Sequence, residues 1–118
     1  MENNVLADKT VSFAIRIVKC CKYLQTEKNE HIMSKQILRS GTSIGANAHE
    51  GFYAQSRADF INKLSISLKE ASETSYWLTI LYKTEFINEK LYVSLKNDID
   101  EIIRIIISTI KTTKKNIE

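Results

Sequence analysis

The segment ILRSGTSIGANAHEG, residues 37–51, contains the side chains of this chain that are most suited to chemistry. It holds all three glycines of the chain, together with an arginine, an asparagine, a histidine and a glutamate. A phosphate-binding loop needs bunched glycines that turn successive backbone N–H groups inward, usually between a strand and a helix. Because Gly41, Gly45 and Gly51 are spread through a helical pattern with no strand before it, the segment does not predict such a loop.

Catalytic side chains are scarce in the rest of the chain. His31 and His49 are the only histidines, and neither follows a glutamate by three positions, so the Glu-x-x-His motif of di-iron bundles is absent. His49 and Glu50 are neighbours, and neighbours on a helix point about 100° apart, which separates a base from an orienting carboxylate. We therefore expect no enzyme activity, no cofactor or metal, and no small-molecule substrate.

The two cysteines, Cys20 and Cys21, are adjacent. A disulfide between helical neighbours would be strained, and one pair supplies too few ligands for a structural zinc site. We interpret both as small buried hydrophobic residues in a reducing compartment. The N-terminus has no basic start followed by an apolar run, and no apolar stretch reaches the roughly 18 residues of a membrane span. These features predict a cytoplasmic protein without a membrane segment.

Composition and periodicity predict an all-α fold. The 118 residues include no proline, and 43% of them are apolar. This is the size of one domain, here residues 1–118, with few of the residues that turns and hairpins need. Apolar positions recur at helical spacing in four segments, about 6–26, 30–53, 57–84 and 88–114. Short connections make consecutive helices antiparallel neighbours, which predicts an up-down-up-down four-helix bundle.

Polar residues between these segments are suited to begin helices. Asn29 can cap the second helix and Asn88 the fourth, while Ser56 with Asp59 resembles a capping box before the third. The run IIRIII, residues 102–107, is dense enough in β-branched residues to suit a strand, but its flanks keep helical periodicity. Its isoleucines cover more of a helix than one bundle face needs, so we expect extra burial against another subunit.

The second helix has two different faces. Gly41 and Gly45 lie on one face, where their small size allows a neighbouring helix to approach closely. A polar stripe on the opposite face carries Arg39, Ser43, Asn47 and Glu50. This stripe is a solvated face, a subunit contact or a ligand-facing strip, and the carboxylates of Glu70 and Glu73 on the third helix are suited to meet Arg39. If assembly buries the stripe, Glu50→Ala is expected to lower the oligomer mass.

Cationic side chains that are candidates for nucleic-acid contacts occur on the first and fourth helices: Lys9, Arg16, Lys19, Lys22, Arg104, Lys111, Lys114 and Lys115. The alternative is an ordinary solvated face, and a net charge of +3 permits nucleic-acid contact without requiring it. Acidic residues dilute the positive charge around the start of the fourth helix: Glu85, Glu89, Asp98, Asp100 and Glu101. Strips of both signs on one subunit can equally serve ring closure. The aromatic residues Tyr76, Trp77 and Tyr82 predict core or interface packing, with base stacking as the alternative.

Two motifs of the chain are ILRSGTSIGANAHEG and, after a short gap, SRADFINKLSISLKEASETSYWL. Together they resemble the bacterial four-helix-bundle family related to the S23 protein, which is encoded in intervening sequences of 23S ribosomal RNA genes. The matching residues are Arg39, Ser40, Ser43, Ile44, Asn47, Glu50, Asp59, Phe60, Lys69, Glu70, Glu73, Trp77 and Leu78. The resemblance implies a four-helix bundle that assembles as a ring of five subunits. The family also includes a basic accessory protein of diversity-generating retroelements, which associates with a reverse transcriptase and nucleic acid.

Two functional hypotheses follow. The leading one is a non-catalytic homo-oligomeric ring that associates with RNA or a ribonucleoprotein through its basic residues. The alternative is a protein scaffold that recruits a partner protein through its acidic or polar faces and binds no nucleic acid.

Overall fold

Four α-helices account for most of residues 4–117, the part of the chain that the computed structural model describes. They are α1 (Val5–Glu27), α2 (Met33–Phe52), α3 (Arg57–Lys83) and α4 (Glu89–Ile117). The described residues contain no strand, and residues 102–107 lie inside α4, so the all-α prediction is confirmed. Residues 1–3 and 118, the ends of the predicted domain, lie outside the described residues.

The start of α2 differs from its prediction. The helix begins at Met33 rather than near residue 30, and the prediction that Asn29 caps it is wrong. Asn29 adopts a positive φ of 53° and turns the chain, while the Glu30 carboxylate accepts hydrogen bonds from the N–H groups of Met33 at 3.0 Å and Ser34 at 2.7 Å. Burial acts to raise the pKa of Glu30, but these backbone hydrogen bonds outweigh it and hold the pKa below its usual value.

The other two predicted helix starts are confirmed. Ser56 Oγ accepts a hydrogen bond from the Asp59 N–H at 3.1 Å, and Asn88 Oδ1 accepts one from the Leu91 N–H at 2.8 Å. Each side chain satisfies a backbone donor that the first turn of a helix leaves without a partner. The fourth helix continues to Ile117, beyond the predicted end at residue 114.

The helices contact one another in a cyclic order, so that α1 packs on α2, α2 on α3, α3 on α4 and α4 on α1. Within the described residues, the backbones of α1 and α3, and those of α2 and α4, do not approach each other closely. Two contacts show how α1 and α2 meet: Cys21 Sγ donates to the Ser34 carbonyl, and Thr10, earlier in α1, packs on Gly45, later in α2. The result is a four-sided bundle about 49 Å long and 22 by 20 Å across.

The interior is filled by large apolar side chains from all four helices. Twelve of these residues are less than 2% exposed: Phe13, Ile17, Leu24, Ile37, Ile44, Leu64, Leu78, Leu81, Leu95, Ile99, Ile102 and Ile106. The isoleucine run of α4 serves mainly this packing, because Ile103 and Ile105 are half-buried beside the core and only Ile107 is substantially exposed, at 37%. Most of the apolar surface that was expected to need another subunit is therefore covered within the chain.

Candidate interaction surfaces

The polar stripe of α2 lies along α3 of the same chain. Arg39 Nη1 donates to Glu70 Oε2 at 2.8 Å, and its Nη2 donates to Glu73 Oε2, so the predicted meeting of Arg39 with both carboxylates is confirmed. Glu73 also accepts a hydrogen bond from Trp77 Nε1 at 3.2 Å. This group of four side chains joins the two helices through charge-assisted hydrogen bonds, which are stronger than neutral ones.

The remaining members of the stripe also find partners within the chain. Asn47 Nδ2 donates to the Ser43 carbonyl at 2.8 Å, and Ser43 Oγ donates to the Arg39 carbonyl at 2.6 Å. Glu50 lies 3.5 Å from Lys63 Nζ on α3, and its side chain is 60% exposed. The stripe thus needs neither a ligand nor a second subunit to satisfy its charges.

Pairing shifts the proton affinities of the central charges. The hydrogen bond from Arg39 is the main cause that lowers the pKa of Glu73, and the Trp77 donor acts in the same direction. Hydrogen bonds to Glu73 and Glu70 raise the pKa of Arg39. Both shifts stabilise the charged forms, so the bridge between α2 and α3 remains ionised at neutral pH.

Beneath this bridge, small hydroxyl side chains connect α2 and α3 in the core. Thr74 Oγ1 donates to Ser40 Oγ at 2.8 Å, and Ser67 Oγ donates to the Ile44 carbonyl at 2.7 Å, with all three hydroxyl residues fully buried. Buried polar groups are tolerated when they are hydrogen-bonded in this way. Sequence reasoning did not identify Ser67 and Thr74. The available signal was their seven-residue spacing at inward positions of α3.

Two of the residues that were predicted to contact nucleic acid form ion pairs with carboxylates. Arg16 donates to Asp98 Oδ2 at 2.5 Å and to Ser94 Oγ at 2.9 Å, and Lys9 Nζ lies 3.0 Å from Glu101 Oε1. These pairs lie along the side of the bundle where α1 meets α4. The basic side of α1 and the acidic start of α4 therefore neutralise each other in part.

The other predicted cations are exposed, but they lie far apart. Lys19 and Lys22 follow Arg16 toward the C-terminal end of α1, whereas Arg104 and Lys111 follow Asp98 toward the C-terminal end of α4. Because Arg16 and Asp98 are in contact, a rise of 1.5 Å per residue places Lys22 and Lys111 roughly 28 Å apart along the bundle axis. Lys114 and Lys115 are also exposed near that second end. One subunit thus carries two separate basic patches.

The glycines of α2 bring α1 unusually close. A Cβ atom at Gly41 would lie 2.9 Å from Ile17 Cγ2, and one at Gly45 would lie 3.0 Å from the Thr10 side chain. Distances this short leave no room for a larger residue, and close packing offsets the roughly 1 kcal/mol that a glycine costs in a helix. The predicted close approach at Gly41 and Gly45 is confirmed.

An apolar groove runs along the outside of this close contact. It has a volume of about 590 Å³, contains no acidic residue, and is lined by Thr10, Val11, Ala14, Ile15, Val18, Lys19, Lys22, Thr42, Gly45, Ala46 and His49. Val11 is 58% exposed, Ile15 51% and Val18 37%. These three residues form an exposed apolar ridge on α1. Sequence reasoning did not identify it, although their spacing of i, i+4 and i+7 is that of a second helical stripe on α1.

The opposite side of the bundle, between α3 and α4, has a second groove. It has a volume of about 520 Å³ and is lined by Leu68, Ser72, Ser75, Tyr76, Thr79 and Ile103. Tyr76 is 57% exposed, and Val93 and Ile107 of α4 are also exposed, at 45% and 37%. Of the predicted aromatic cluster, Trp77 is half-buried and Tyr82 stacks on Tyr92 at a centroid distance of 4.5 Å.

The four sides of the bundle therefore fall into two classes. Every ion pair that joins two helices within residues 4–117 lies either between α2 and α3 or between α1 and α4, and we call these the ion-paired sides. The sides between α1 and α2 and between α3 and α4 are the apolar sides. Because the helices follow one another in cyclic order, the two apolar sides face away from each other.

Cys20 and Cys21 are buried free thiols, as predicted. Burial raises the pKa of Cys20 to about 11 and that of Cys21 to about 12, which keeps both protonated at neutral pH. Within the described residues, no three side chains of His, Cys, Asp and Glu come together in a metal-binding arrangement. No helix among them has the length and apolar character needed to cross a membrane.

Comparisons with known proteins agree with this fold. The sequence profile of the 23S rRNA-intervening sequence protein family matches residues 2–108. A crystal structure at 1.70 Å resolution of a protein with unknown function, from the S23 ribosomal protein family of Bacteroides thetaiotaomicron VPI-5482, superposes with a TM-score of 0.90. That protein is 59% identical in sequence, and the match covers 91% of this chain and 99% of the other. A search of curated proteins gives no match.

Proposed function

Because the chain belongs to the 23S rRNA-intervening sequence protein family, as the two motifs indicated, we propose a function that starts from this membership. The protein is a non-catalytic binding protein of the cytoplasm, built as an up-down-up-down bundle. It assembles with copies of itself into a ring, with five subunits as the number that the family resemblance implies. The ring associates with RNA or with a ribonucleoprotein.

The observation that carries the assembly is the exposed apolar ridge on α1. Val11, Ile15 and Val18 border a groove of about 590 Å³, and a second apolar groove lies on the opposite side of the bundle. Contiguous apolar surface on a small protein marks an interaction site. Two different apolar sides that face away from each other favour head-to-tail contacts, which close into a ring when the rotation between subunits permits it.

The residues that contact RNA in this proposal are the exposed cations that form no ion pair within residues 4–117. Lys19 lies in one patch, and Lys111, Lys114 and Lys115 lie in the other. Lys9 and Arg16 contribute less, because Glu101 and Asp98 already pair with them. A ring repeats each small patch, and phosphate contacts add up in affinity, so repetition compensates for the modest charge of one subunit.

Assembly is tested by the light-scattering mass of the wild-type protein at micromolar concentration. We expect about five times the 13.6 kDa of one chain. A mass of one chain across the concentration range would contradict the proposed assembly. A stable mass of another multiple would retain assembly and correct the subunit number.

RNA association is tested by measuring the affinity for a structured RNA as a function of salt. The logarithm of the binding constant is expected to fall with the logarithm of salt by about 0.7–0.9 for each phosphate contacted. Replacing Lys111 and Lys114 together by alanine removes two contacts per subunit, so the slope is expected to become shallower by at least about 1.4. The matched control replaces Lys69 and Lys83, two exposed lysines of α3 outside the patches, and leaves the slope unchanged.

The absence of binding at low salt, or an equal loss of slope in the α3 control, would contradict RNA association. The competing proposal, a scaffold that recruits a protein through acidic or polar faces, has weaker support. Asp98 and Glu101 are paired with cations of α1, and the polar stripe is engaged with α3. A partner protein that is retained in a pull-down after nuclease treatment, together with no RNA binding, would favour the scaffold.

A further inference from the structure

We propose that α1 of one copy docks along α4 of the next copy, with Lys22 opposite Glu89 and Asp8 opposite Arg104. This inference rests on the proposed self-assembly and specifies which surfaces meet and in which register. The α1/α2 apolar side of each subunit is then covered by the α3/α4 apolar side of its neighbour. The occupant of the 590 Å³ groove is a second copy of this chain.

The cyclic order of the helices determines which helices meet. When the α1/α2 side of one subunit faces the α3/α4 side of the next, α1 lies beside the neighbour's α4 and α2 lies beside the neighbour's α3. The exposed side chains on these faces agree with this pairing. Val11, Ile15 and Val18 project from α1 beside the first groove, and on α4 Ile103 lines the second groove, with Ile107 exposed one helical turn further along.

Contacts within one chain give the heights of these residues along the bundle. At one end, Tyr23 of α1 borders the same pocket as Asn88, which is next to Glu89. At the other end, Asp8 borders the same pocket as Ile102, two residues before Arg104. In a ring whose axis is parallel to the bundle, neighbouring subunits keep the same heights. Lys22 of one copy therefore lies level with Glu89 of the next, and Asp8 lies level with Arg104 to within about one helical turn.

The charges at these two heights are complementary. Asp8, Lys22, Glu89 and Arg104 are all exposed, and none of them takes part in an ion pair within residues 4–117. Along α1 the order is negative, apolar, positive, and at matching heights along α4 it is positive, apolar, negative. Charges of opposite sign across an interface favour the correct partner and set the register.

The middle of the proposed interface carries no net charge from α4. Lys96 Nζ lies 2.7 Å from Asp100 Oδ1 on the same helix, so these two residues neutralise each other beside Val93 and Ile103. In the reverse orientation of the neighbour, its α3 rather than its α4 would lie beside α1, and the four end charges would lose these partners. The complementary end charges therefore favour one direction of docking.

Disulfide trapping tests this register in the full-length protein. Lys22→Cys/Glu89→Cys and Asp8→Cys/Arg104→Cys are the matched pairs, and Lys22→Cys/Arg104→Cys is the mismatched control. A disulfide requires Cα atoms within about 7 Å. Positions 22 and 89 of one chain lie at the same height on adjacent helices, so the covalent mass is the readout, and only bonds between chains give a ladder of oligomers on a non-reducing gel. The native cysteines are not expected to form disulfides at pH 7.5, because burial raises the pKa of Cys20 to about 11 and that of Cys21 to about 12 and so keeps both thiols protonated.

Under mild oxidation, we expect a ladder of covalent oligomers from both matched pairs on a non-reducing gel. The mismatched pair and Lys22→Cys alone are expected to give less than a tenth of that yield. A strong dimer from Lys22→Cys alone would mean that two α1 helices face each other, and it would overturn the proposal. Equal ladders from matched and mismatched pairs would overturn it as well.

The same samples separate this inference from the proposed assembly. If the wild-type mass is that of several chains but the matched pairs give no ladder, the ring stands and the docking register is wrong. If the wild-type mass is that of one chain and no ladder forms, both the assembly and the register are wrong.

Discussion

The ion-paired sides and the apolar sides of this bundle differ in how the side chains between neighbouring helices are paired. On the ion-paired sides, Arg39 meets Glu70 and Glu73, and Arg16 meets Asp98, so opposite charges of neighbouring helices close the seam within one chain. On the apolar sides, no ion pair joins the helices within residues 4–117, and Val11 and Ile15 remain more than half exposed. The first class of side is closed by ion pairs within one chain, whereas the second leaves apolar side chains exposed.

This difference separates two roles that the sequence places side by side on α2. Arg39, Ser43, Asn47 and Glu50 mark the family but face α3, where they hold the bundle together. The other face of α2 carries Gly41 and Gly45, whose small size shapes the groove that is left open. The family motifs therefore concern mainly the fold, whereas the exposed ridge of α1 is the surface that we propose for assembly.

Gly41→Val is expected to have the largest effect, because it breaks the close contact beneath the first apolar side. A Cβ at this position would lie 2.9 Å from the fully buried Ile17, so the added methyl groups overpack the core. The expected loss is about 2–3 kcal/mol of unfolding free energy in a urea titration. Gln36→Val, at an exposed position of the same helix, is expected to change stability by less than about 0.7 kcal/mol. Equal effects of the two variants would contradict the close packing of α1 on α2.

Arg39→Ala is expected to have a smaller effect, because it opens an ion-paired side that water already reaches. The Arg39 side chain is 51% exposed and Glu70 only 14%, so we expect a loss of about 1 kcal/mol at pH 7, mainly from leaving Glu70 without its partner. Urea titration of wild type and variant measures the difference. A loss as large as that of Gly41→Val would contradict the ranking of the two sides.

The pH dependence of that difference provides a second measurement on the same variant. Pairing lowers the pKa of Glu73 in the folded protein, so its stabilising effect is fully present above the unfolded carboxyl pKa of about 4.3 and disappears as the pH falls through the lower folded value. Wild type and Arg39→Ala are therefore expected to converge in stability below about pH 4. A difference that stays constant from pH 7 to pH 3 would contradict the ionic character of the contact.

Glu50→Ala is expected to have the smallest effect. Its carboxylate is 60% exposed and lies 3.5 Å from Lys63 on α3 of the same chain, so its loss is expected to change stability by less than about 0.5 kcal/mol and to leave the oligomer mass unchanged. Light scattering and urea titration check both statements. A lower mass would contradict this expectation and would support the interpretation of the polar stripe as a subunit contact, which the sequence alone left open.

Local signals in the sequence were sufficient for much of the fold. Helical periodicity predicted four helices, and the capping roles of Ser56 and Asn88 followed from their positions before apolar segments. The cap of α2 was assigned to Asn29 instead of Glu30, because the choice depends on the φ angle at which the chain turns. That angle is not visible in residue types.

The surfaces were harder to predict, because they depend on how the helices are placed. Arg16 and Lys9 look like free cations on α1 until α4 is known to run beside them at the height of Asp98 and Glu101. Ile15 looks like one more apolar residue of an amphipathic helix until α2 and α4 cover the neighbouring faces and leave it 51% exposed. By contrast, the pairing of Arg39 with Glu70 and Glu73 was predicted, because consecutive helices joined by a short connection are neighbours and the two carboxylates lie one helical turn apart on α3.

The molar mass of Ile15→Glu, measured by light scattering beside that of Ser12→Glu, tests the central claim most directly. Both variants add one carboxylate at an exposed position of α1, but Ile15 lines the apolar groove and Ser12 lies toward α4. We expect Ser12→Glu to keep the multi-subunit mass of the wild type, and Ile15→Glu to fall toward the 13.6 kDa of one chain with unchanged helical circular dichroism. An Ile15→Glu protein with the wild-type mass would contradict the assignment of the α1/α2 side to assembly.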